Sequence, residues 1–562
     1  ELSRKVSKPR ATRKRDSPTD LLLTLYPHLW HHERISNRLA RIDTSRKEYA
    51  MLMPRHSHKS YVRRVRRKAG RYGGLKPGHS DYAVWEKLRH TNLEAAYPLL
   101  AALYSATGRP ARDPVTMLRA CLAMLLCGET SFTDWVAWLR DEPFYALLCG
   151  FDPDDVPGVG TFYDFQDRVL HHAPHAHSHV KVPYHFRAQR DRDAQHQDKL
   201  DLRPHTDIVQ RLVERMMRQP LPQVSLAALL KGHLDFHARP DYEHTLQPLF
   251  FAVFVANSVD LGLIDLDNLY VAGDGTKLTT WANPHGKKLC TCDNRGKRPE
   301  DHCLCHRAYH DPLARWGWDS YRKCWVYGHS LYELTAYRLG HPCQLPLFVS
   351  LADGNRHDSV HALADLHAAR ELCGLPIRVA TLDAAHDAWG YYHIATQRWP
   401  MALVIPINPR HEGHLKYAGP LRLENGIPIC LAGQPMTRAG FCPNRARIKW
   451  RCPLAAAKKP PAITTCPHFA QECSNSLYGR VIYTYPQENY RLHPLIPRDS
   501  LFWQLHRDAR SCAERSVKRK KCDFHLRETR TAGRARWFFR AILAAMCQHI
   551  DAWLLHAADR LT

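Results

Sequence analysis

Three acidic residues in this 562-residue chain stand where carboxylates can do metal chemistry. Asp274 follows the apolar run 269–272, and Asp383 directly ends the apolar run 377–382. A carboxylate at the end of a buried strand is costly unless something compensates its charge, and a bound metal ion is the usual solution. One such aspartate is more often a helix cap or turn residue, but two in one α/β pattern favour a metal site. The third acidic residue is Glu514.

Glu514 is framed by cations on a helix predicted over residues 505–526. Residues at spacings of 3, 4, 4 and 3 share one helix face, within roughly 40° of Glu514. Pairing along a solvated helix is the alternative, but one glutamate cannot neutralise four cations, so an external anion such as phosphate is indicated. The four cations are Arg507, Arg510, Lys518 and Lys521.

The positive charge of the chain is clustered. The formal net charge is +25; residues 1–80 carry 21 Lys and Arg against 6 Asp and Glu, and residues 505–540 carry 12 against 4. Such clustering is typical of proteins that bind nucleic acid, although a solvated basic tail is the alternative. No fold is predicted before residue 78. The candidate DNA-binding residues there are Arg63, Arg64, Arg66, Arg67 and Lys68.

Two groups of cysteines have the composition of structural zinc sites. The first, between the first two predicted strands, is Cys290, Cys292, Cys303 and Cys305, for which free thiols on a polar loop are the alternative. The second is Cys442, Cys452, Cys466 and Cys473, three of them followed by proline as at the turns of a zinc ribbon, and His468 is a possible replacement ligand.

Several protein classes are disfavoured. No stretch approaches the ~20 apolar residues of a membrane span, and no signal-peptide pattern opens the chain, so a soluble intracellular protein is expected. The chain has no Gly-x4-Gly-Lys-[Ser/Thr] loop, and ATP-driven chemistry is therefore not supported. We interpret Trp450, in a basic predicted strand, as a core residue rather than a base-stacking one.

Hydrophobic periodicity predicts helices first and then an α/β sheet. Asp113-Pro114 and Ser131 are helix-start signals, and Gly128 is a stop signal. Strands are predicted at 269–272, 325–337, 345–350, 377–382 and 402–407, with helices at 360–373 and 388–399. The predicted domains are a basic DNA-binding arm (1–80), a helical domain (81–173), a linker with helices (174–264), the first part of an α/β core (265–408), a strand-rich Cys-containing insertion (409–500) and C-terminal helices that complete the core (501–562).

Several segments resemble one enzyme family. Arg510-x3-Glu514-x6-Lys521 is similar to the last part of the Y-x2-R-x3-E-x6-K signature of the DDE transposases of bacterial insertion sequences, with Arg507 at the tyrosine position. Residues 273–276, 327–331, 355–359 and 382–387 resemble further motifs of that superfamily, and residues 109–170 resemble its N-terminal helical domain. The resemblance spans roughly residues 80–555.

The resemblance implies a ribonuclease-H-like core in which Asp274, Asp383 and Glu514 are ligands of two Mg²⁺ or Mn²⁺ ions. Asp358 and Asp387 are rivals of Asp383. It also implies hydrolysis at transposon ends, strand transfer into target DNA, a homodimer on double-stranded DNA, and a bacterial cytoplasmic, nucleoid-associated location. A nuclease of the same fold without strand transfer, and a catalytically silent DNA-binding protein, are the alternatives.

Overall fold

The computed structural model describes residues 51–77, 80–171, 180–183, 205–232, 234, 239–289, 291, 306–408, 417–418, 421–424, 426–456 and 463–559. The chain divides into two compact units. The first, here called the sheet unit, comprises residues 47–406 and 506–562. The second, here called the insertion unit, comprises residues 407–505 together with 1–46, and its described residues all lie in 407–505.

The sheet unit begins with helices. Asp113 caps one of them by accepting a hydrogen bond from the N–H of Thr116 at 3.0 Å, and Ser131 caps the next. Gly128 adopts a positive φ of 79° after the first of these helices, so the predicted start and stop signals are confirmed. The helices are α1 (His58–Lys68), α2 (Ser80–Arg89), α3 (Tyr97–Ala101), α4 (Pro114–Leu126), α5 (Phe132–Asp141), α6 (Pro143–Cys149) and α7 (Val159–Val169).

Helix α1 corrects the expectation that no fold forms before residue 78. Tyr61 and Val65 are buried on one face of α1, so a segment with many charges still has an apolar stripe to pack. Arg64 donates to the carbonyl oxygens of Gly150 at 3.0 Å and Phe151 at 3.2 Å. Its guanidinium therefore has a structural role within the sheet unit.

A mixed sheet forms the centre of the sheet unit. Strands β2 (Leu269–Thr279), β6 (Cys324–Tyr337) and β7 (Gln344–Asp353) are antiparallel, and β5 (Arg315–Asp319) also pairs with β6. Strands β8 (Ile377–Thr381) and β9 (Ala402–Val404) are parallel, and β8 pairs in parallel with β2. All five predicted strands are confirmed. The order is β5-β6-β2-β8-β9, with β7 also on β6.

Helices connect the later strands, as the sequence predicts for an α/β pattern. Helix α12 (Asp358–His367) continues as a π-helical turn (Ala368–Leu372) and joins β7 to β8, and α13 (Trp389–Gln397) joins β8 to β9. Before the sheet lie α8 (His205–Arg218), α9 (Leu226–Leu230), α10 (Glu243–Leu249), a π-helical turn (Phe250–Val255) and α11 (Ala256–Asp260). A small sheet of β1 (Val180–Pro183), β4 (His306–Tyr309) and β3 (Lys287–Lys288) places a strand within the stretch expected to be a linker.

The C-terminal segment differs from its prediction at one place. The single helix expected over 505–526 is two helices, α15 (Leu501–Ala509) and α16 (Ser511–Cys522). At the junction the N–H of Arg510 donates to the carbonyl of Arg507 at 3.2 Å, an i to i+3 bond that tightens the turn. Helix α17 (Arg534–Asp559) buries the predicted face, including Trp537 and Trp553.

Helix α17 has the length and composition of a helix that could cross a membrane. Residues 534–558 are long and apolar enough to cross a bilayer, but 72% of the apolar window is buried inside the fold. A helix surrounded by protein in this way is a core helix of the sheet unit. The sequence expectation that no segment has this length and composition is corrected for these residues.

The insertion unit is strand-rich. Met436, Ile448 and Trp450 form a buried cluster in it, and the indole N–H of Trp450 donates to the hydroxyl of Thr484 at 2.8 Å. Trp450 is therefore a core residue, as interpreted from the sequence. The elements are β10 (Tyr417–Ala418), β11 (Leu421–Glu424), β12 (Ile427–Pro428), β13 (Thr437–Cys442), β14 (Arg447–Arg451), α14 (Pro453–Ala456) and β15 (Val481–Thr484).

Candidate active site

Asp274 lies on β2, the strand that joins the antiparallel and parallel parts of the sheet. Glycines on both sides of it let other groups approach the strand closely. A methyl group added at Gly273 would lie 2.4 Å from the hydroxyl of Tyr332, and one at Gly275 would lie 2.9 Å from the carboxyl carbon of Asp358. The Gly-Asp-Gly sequence is thus needed for packing around the aspartate.

The carboxyl group of Asp274 has a pKa raised to about 7. Burial is the largest cause, and the carboxylates of Glu514, Asp358 and Asp383 raise it further, while Arg510 lowers it. Because like charges raise a carboxyl pKa over short separations, these acidic groups share one electrostatic environment. A divalent cation would relieve their repulsion, and the donor chemistry therefore fits a metal site.

Asp383 follows β8 and begins a short 3-10 turn. One of its oxygens accepts a hydrogen bond from the N–H of Ala385 at 3.0 Å and pairs with Nδ1 of His386 at 2.5 Å. Burial opposes ionisation of Asp383, but His386 and Arg510 outweigh it, so the pKa of Asp383 is lowered. Nε2 of His386 lies 3.1 Å from the hydroxyl of Tyr332, so His386 links the aspartate to β6.

Burial disfavours the charged form of His386, but Asp383 outweighs it and the pKa of His386 is raised. A protonated imidazole donates from both ring nitrogens. The N–H at Nδ1 then donates to the carboxylate of Asp383, and the N–H at Nε2 donates to the hydroxyl oxygen of Tyr332. The histidine orients the aspartate, and a cation bound to Asp383 would compete with it for the same oxygen.

Glu514 lies in the first turn of α16, where the helix dipole favours a carboxylate. The guanidinium of Arg510 pairs with its carboxylate, and the side chain of Glu514 is half exposed. Since Arg510 also lowers the pKa of Asp274 and of Asp383, its charge acts on all three candidate ligands.

Helix α16 is attached to the sheet by buried polar contacts. The ammonium of Lys520 pairs with the carboxylate of Glu333, which is opposite Asp274 in the register of β2 and β6. Ser516 donates to the same carboxylate at 2.5 Å. Nearer the surface, Lys521 donates to the hydroxyl of Thr276 at 2.5 Å, two residues beyond Asp274. These contacts hold Glu514 and Asp274 on neighbouring elements.

The remaining sequence candidates have different environments. Asp358 pairs with Lys277 at 3.8 Å and contributes to the field at Asp274, whereas Asp387 is buried. Lys518 is exposed on α16. Arg507 belongs to α15 and bonds Asp508 at 2.9 Å, so the prediction that it shares one helix with Glu514 is wrong.

On α1, the guanidinium of Arg64 is used internally and Lys68 lies 3.6 Å from Asp152. The other three basic candidates remain on the exposed face of α1, namely Arg63, Arg66 and Arg67.

In the described part of the chain, the side chains as they stand form no group of three or more His, Cys, Asp or Glu positioned to hold a metal ion. The carboxylates of Glu514 and Asp383 are paired with Arg510 and His386 instead. Cys290, Cys292, Cys303 and Cys305 lie outside the described residues. The second set of candidate zinc ligands belongs to the insertion unit, namely Cys442, Cys452, Cys466 and Cys473.

Sequence reasoning missed the groups that support the carboxylates. His386 stands three residues after Asp383, a spacing that brings the two together only when a tight turn follows the strand. Glu333 and Lys520 are far apart in the chain, so their pairing leaves no local pattern. The signal that the sequence offers is the isolated charge of Glu333 in an apolar strand, which indicates a buried partner.

Comparison with known proteins adds one finding. Residues 79–168 match the family model described as "Transposase domain (DUF772)", which covers helices α2 to α7. The matched range includes most of residues 109–170, where the sequence resembles a transposase N-terminal domain. No curated protein matches the chain. The domain match supports a transposase-like function and, in general terms, a DNA-cleaving activity.

Proposed function

We propose that the chain is a DDE-type DNA transposase in which Asp274, Asp383 and Glu514 hold two divalent metal ions. The observation that carries the proposal is that Asp274 and Asp383 lie on and just after the neighbouring parallel strands β2 and β8, while Lys520 and Lys521 attach the helix of Glu514 to the same sheet. The carboxylates of Glu514 and Asp383 also act on the pKa of Asp274. The order of the elements also supports a ribonuclease-H-like core. Four antiparallel strands precede two parallel ones joined through helices, and α16 supplies the last carboxylate.

Two Mg²⁺ or Mn²⁺ ions held by these carboxylates would activate a water molecule or a 3′-hydroxyl group and would stabilise the leaving oxygen. The three carboxylates would bind and orient the metal ions. Glu514 would become available to a metal ion when Arg510 turns from it to a DNA phosphate. Lys521, fixed beside Asp274 through Thr276, holds a second phosphate near the scissile bond. Hydrolysis would free the 3′ end of the element, and that hydroxyl would then attack target DNA.

Further basic residues would hold the DNA duplex. Lys518 lies one turn after Glu514, and Arg63, Arg66 and Arg67 are exposed on α1. Contacts of this kind neutralise phosphates and carry no sequence information. We expect two copies of the chain to act together, since two transposon ends require two active sites.

The test uses the full chain, DNA that carries the sequences flanking its gene, Mg²⁺ and a plasmid target. We expect joined products from the wild type and a loss of more than about 100-fold in Glu514→Gln, since removal of a metal ligand should cost at least as much as removal of its supporting residues. Asp523→Asn is the matched control, because Asp523 follows the same helix, is exposed and pairs with Arg519 at 3.4 Å.

Each outcome decides between the alternatives. Cleavage that depends on Glu514 without joining would indicate a nuclease, and DNA binding with neither reaction would indicate a silent binding protein. Equal activity in Glu514→Gln and the wild type would overturn the assignment of the site.

A further inference from the structure

The insertion unit encloses a small cavity lined by cysteines. Its volume is about 30 Å³. A space of this size accommodates an ion or a water molecule rather than an organic ligand. The residues that identify it are Cys430, Cys452, Cys466, Cys473, His468 and Arg480, and we call it the cysteine cavity.

Two of the cysteines are held by tight turns. The N–H of Cys430 donates to the carbonyl of Gln434 at 2.9 Å, and the N–H of Gly433 donates back to the carbonyl of Cys430 at 2.9 Å. The N–H of Cys466 donates to Ile463 at 3.1 Å, and that of Phe469 donates to Cys466 at 3.0 Å. Both thiols therefore extend from backbone whose position is already fixed.

The other two cysteines are fixed by neighbouring turns. The N–H of Cys473 donates to the carbonyl of His468 at 3.1 Å, and the N–H of Cys452 donates to the carbonyl of Arg480 at 3.0 Å. Gly479, with φ of +76°, packs so closely that an added methyl group would lie 2.5 Å from Cβ of Cys452. The turn before β15 is thus shaped to bring its backbone against the cysteine cavity.

The charges around the cavity fit a thiolate cluster. Cys452, Cys466 and Arg480 all lie near enough to Cys473 to act on it electrostatically, and Arg480 forms a hydrogen bond with its thiol. These three thiols are therefore close enough to repel one another as thiolates. Arg480 provides a fixed cation beside an otherwise anionic group.

We propose that Cys430, Cys452, Cys466 and Cys473 bind one structural Zn²⁺ with four thiolate ligands. Cys430 takes the place that the sequence pattern gave to Cys442, because Cys430 lines the cavity and Cys442 does not. Cys442 ends strand β13 in register with Arg447. Among the described residues, the cysteine sulfurs are not positioned as a metal-binding group. The proposed site therefore requires side-chain rotation. Rotation about χ1 moves each sulfur between staggered positions while its backbone stays in place.

The insertion unit gains stability from such a site. The small apolar cluster Met436, Ile448 and Trp450 supports one face of β13 and β14. A structural metal ion contributes its binding free energy to folding. The Zn²⁺ would fasten the turns around Cys430 and Cys466 to the strands, and it has no part in the proposed DNA chemistry.

The test measures zinc in the full chain purified without added metal. Because Cys290, Cys292, Cys303 and Cys305 offer other thiols, the decisive quantity is the difference between variants. We expect Cys430→Ser to bind about one zinc fewer than the wild type, whereas Cys442→Ser, the matched control, keeps the wild-type content. Cys430→His should restore zinc, because imidazole is also a zinc ligand.

Spectra provide a second measurement. Cobalt exchanged into the wild type should show thiolate-to-metal absorption, and part of it should disappear in Cys430→Ser but not in Cys442→Ser. Unchanged zinc and cobalt absorption in Cys430→Ser, or loss in Cys442→Ser alone, would overturn the proposed ligand set. Neither measurement depends on DNA cleavage, so a failure here leaves the proposed function to its own test.

Discussion

Breaking the buried ion pair between Glu333 on β6 and Lys520 on α16 should destabilise the protein by about 3–5 kcal/mol. Both side chains have no solvent exposure. Glu333 also accepts hydrogen bonds from Ser516 at 2.5 Å and Thr335 at 2.8 Å. Lys520→Met leaves this carboxylate buried with neutral donors only, and Glu333→Gln leaves a buried ammonium without its counter-charge.

The stability of the Glu333→Gln variant should depend on pH. In Glu333→Gln, burial lowers the pKa of Lys520 without the opposing carboxylate. The unfolded state then binds more protons, and stability rises as pH increases toward about 10.

Urea unfolding of the full chain at about pH 5, about pH 7 and about pH 9 measures both effects. The double variant Glu333→Gln with Lys520→Met should lose much less stability than the sum of the single variants. It leaves no buried charge without a counter-charge. Single variants that cost under about 1 kcal/mol, or a Glu333→Gln variant whose stability did not rise with pH, would refute this reasoning.

Two further predictions concern the helices of the sheet unit. Asp113→Ala should cost about 0.5–2 kcal/mol in chemical denaturation, because the N–H of Thr116 loses its acceptor at the start of α4, whereas Asp113→Asn should retain most of the stability. Glu371, bonded by Arg398 and Trp399, has a pKa lowered from 4.5 to about 2 because these hydrogen bonds outweigh burial. Its stabilisation is therefore present above about pH 4.5 and lost as pH falls toward about 2, and a wild-type advantage over Glu371→Gln that persisted undiminished down to about pH 2 would contradict this.

Local sequence determined much of the fold. The caps at Asp113 and Ser131, the buried face of α17 and five of the six strands of the sheet follow from signals within a few residues or one helical period. The same signals identified Asp274 and Asp383 as acids at strand positions. Glu514 was identified from the cations near it, although the helix containing them is interrupted at Arg510.

Only the tertiary structure decided which partners these residues have. Arg64, counted with the DNA-binding cations, instead holds the carbonyls that follow α6, and Cys430 rather than Cys442 lines the cysteine cavity. Lys520 meets Glu333 across 187 residues of chain. Spacing in the sequence records helical and strand periods, whereas such contacts depend on how separate elements pack. The carboxylates could therefore be found from the sequence, but the groups that orient them could not.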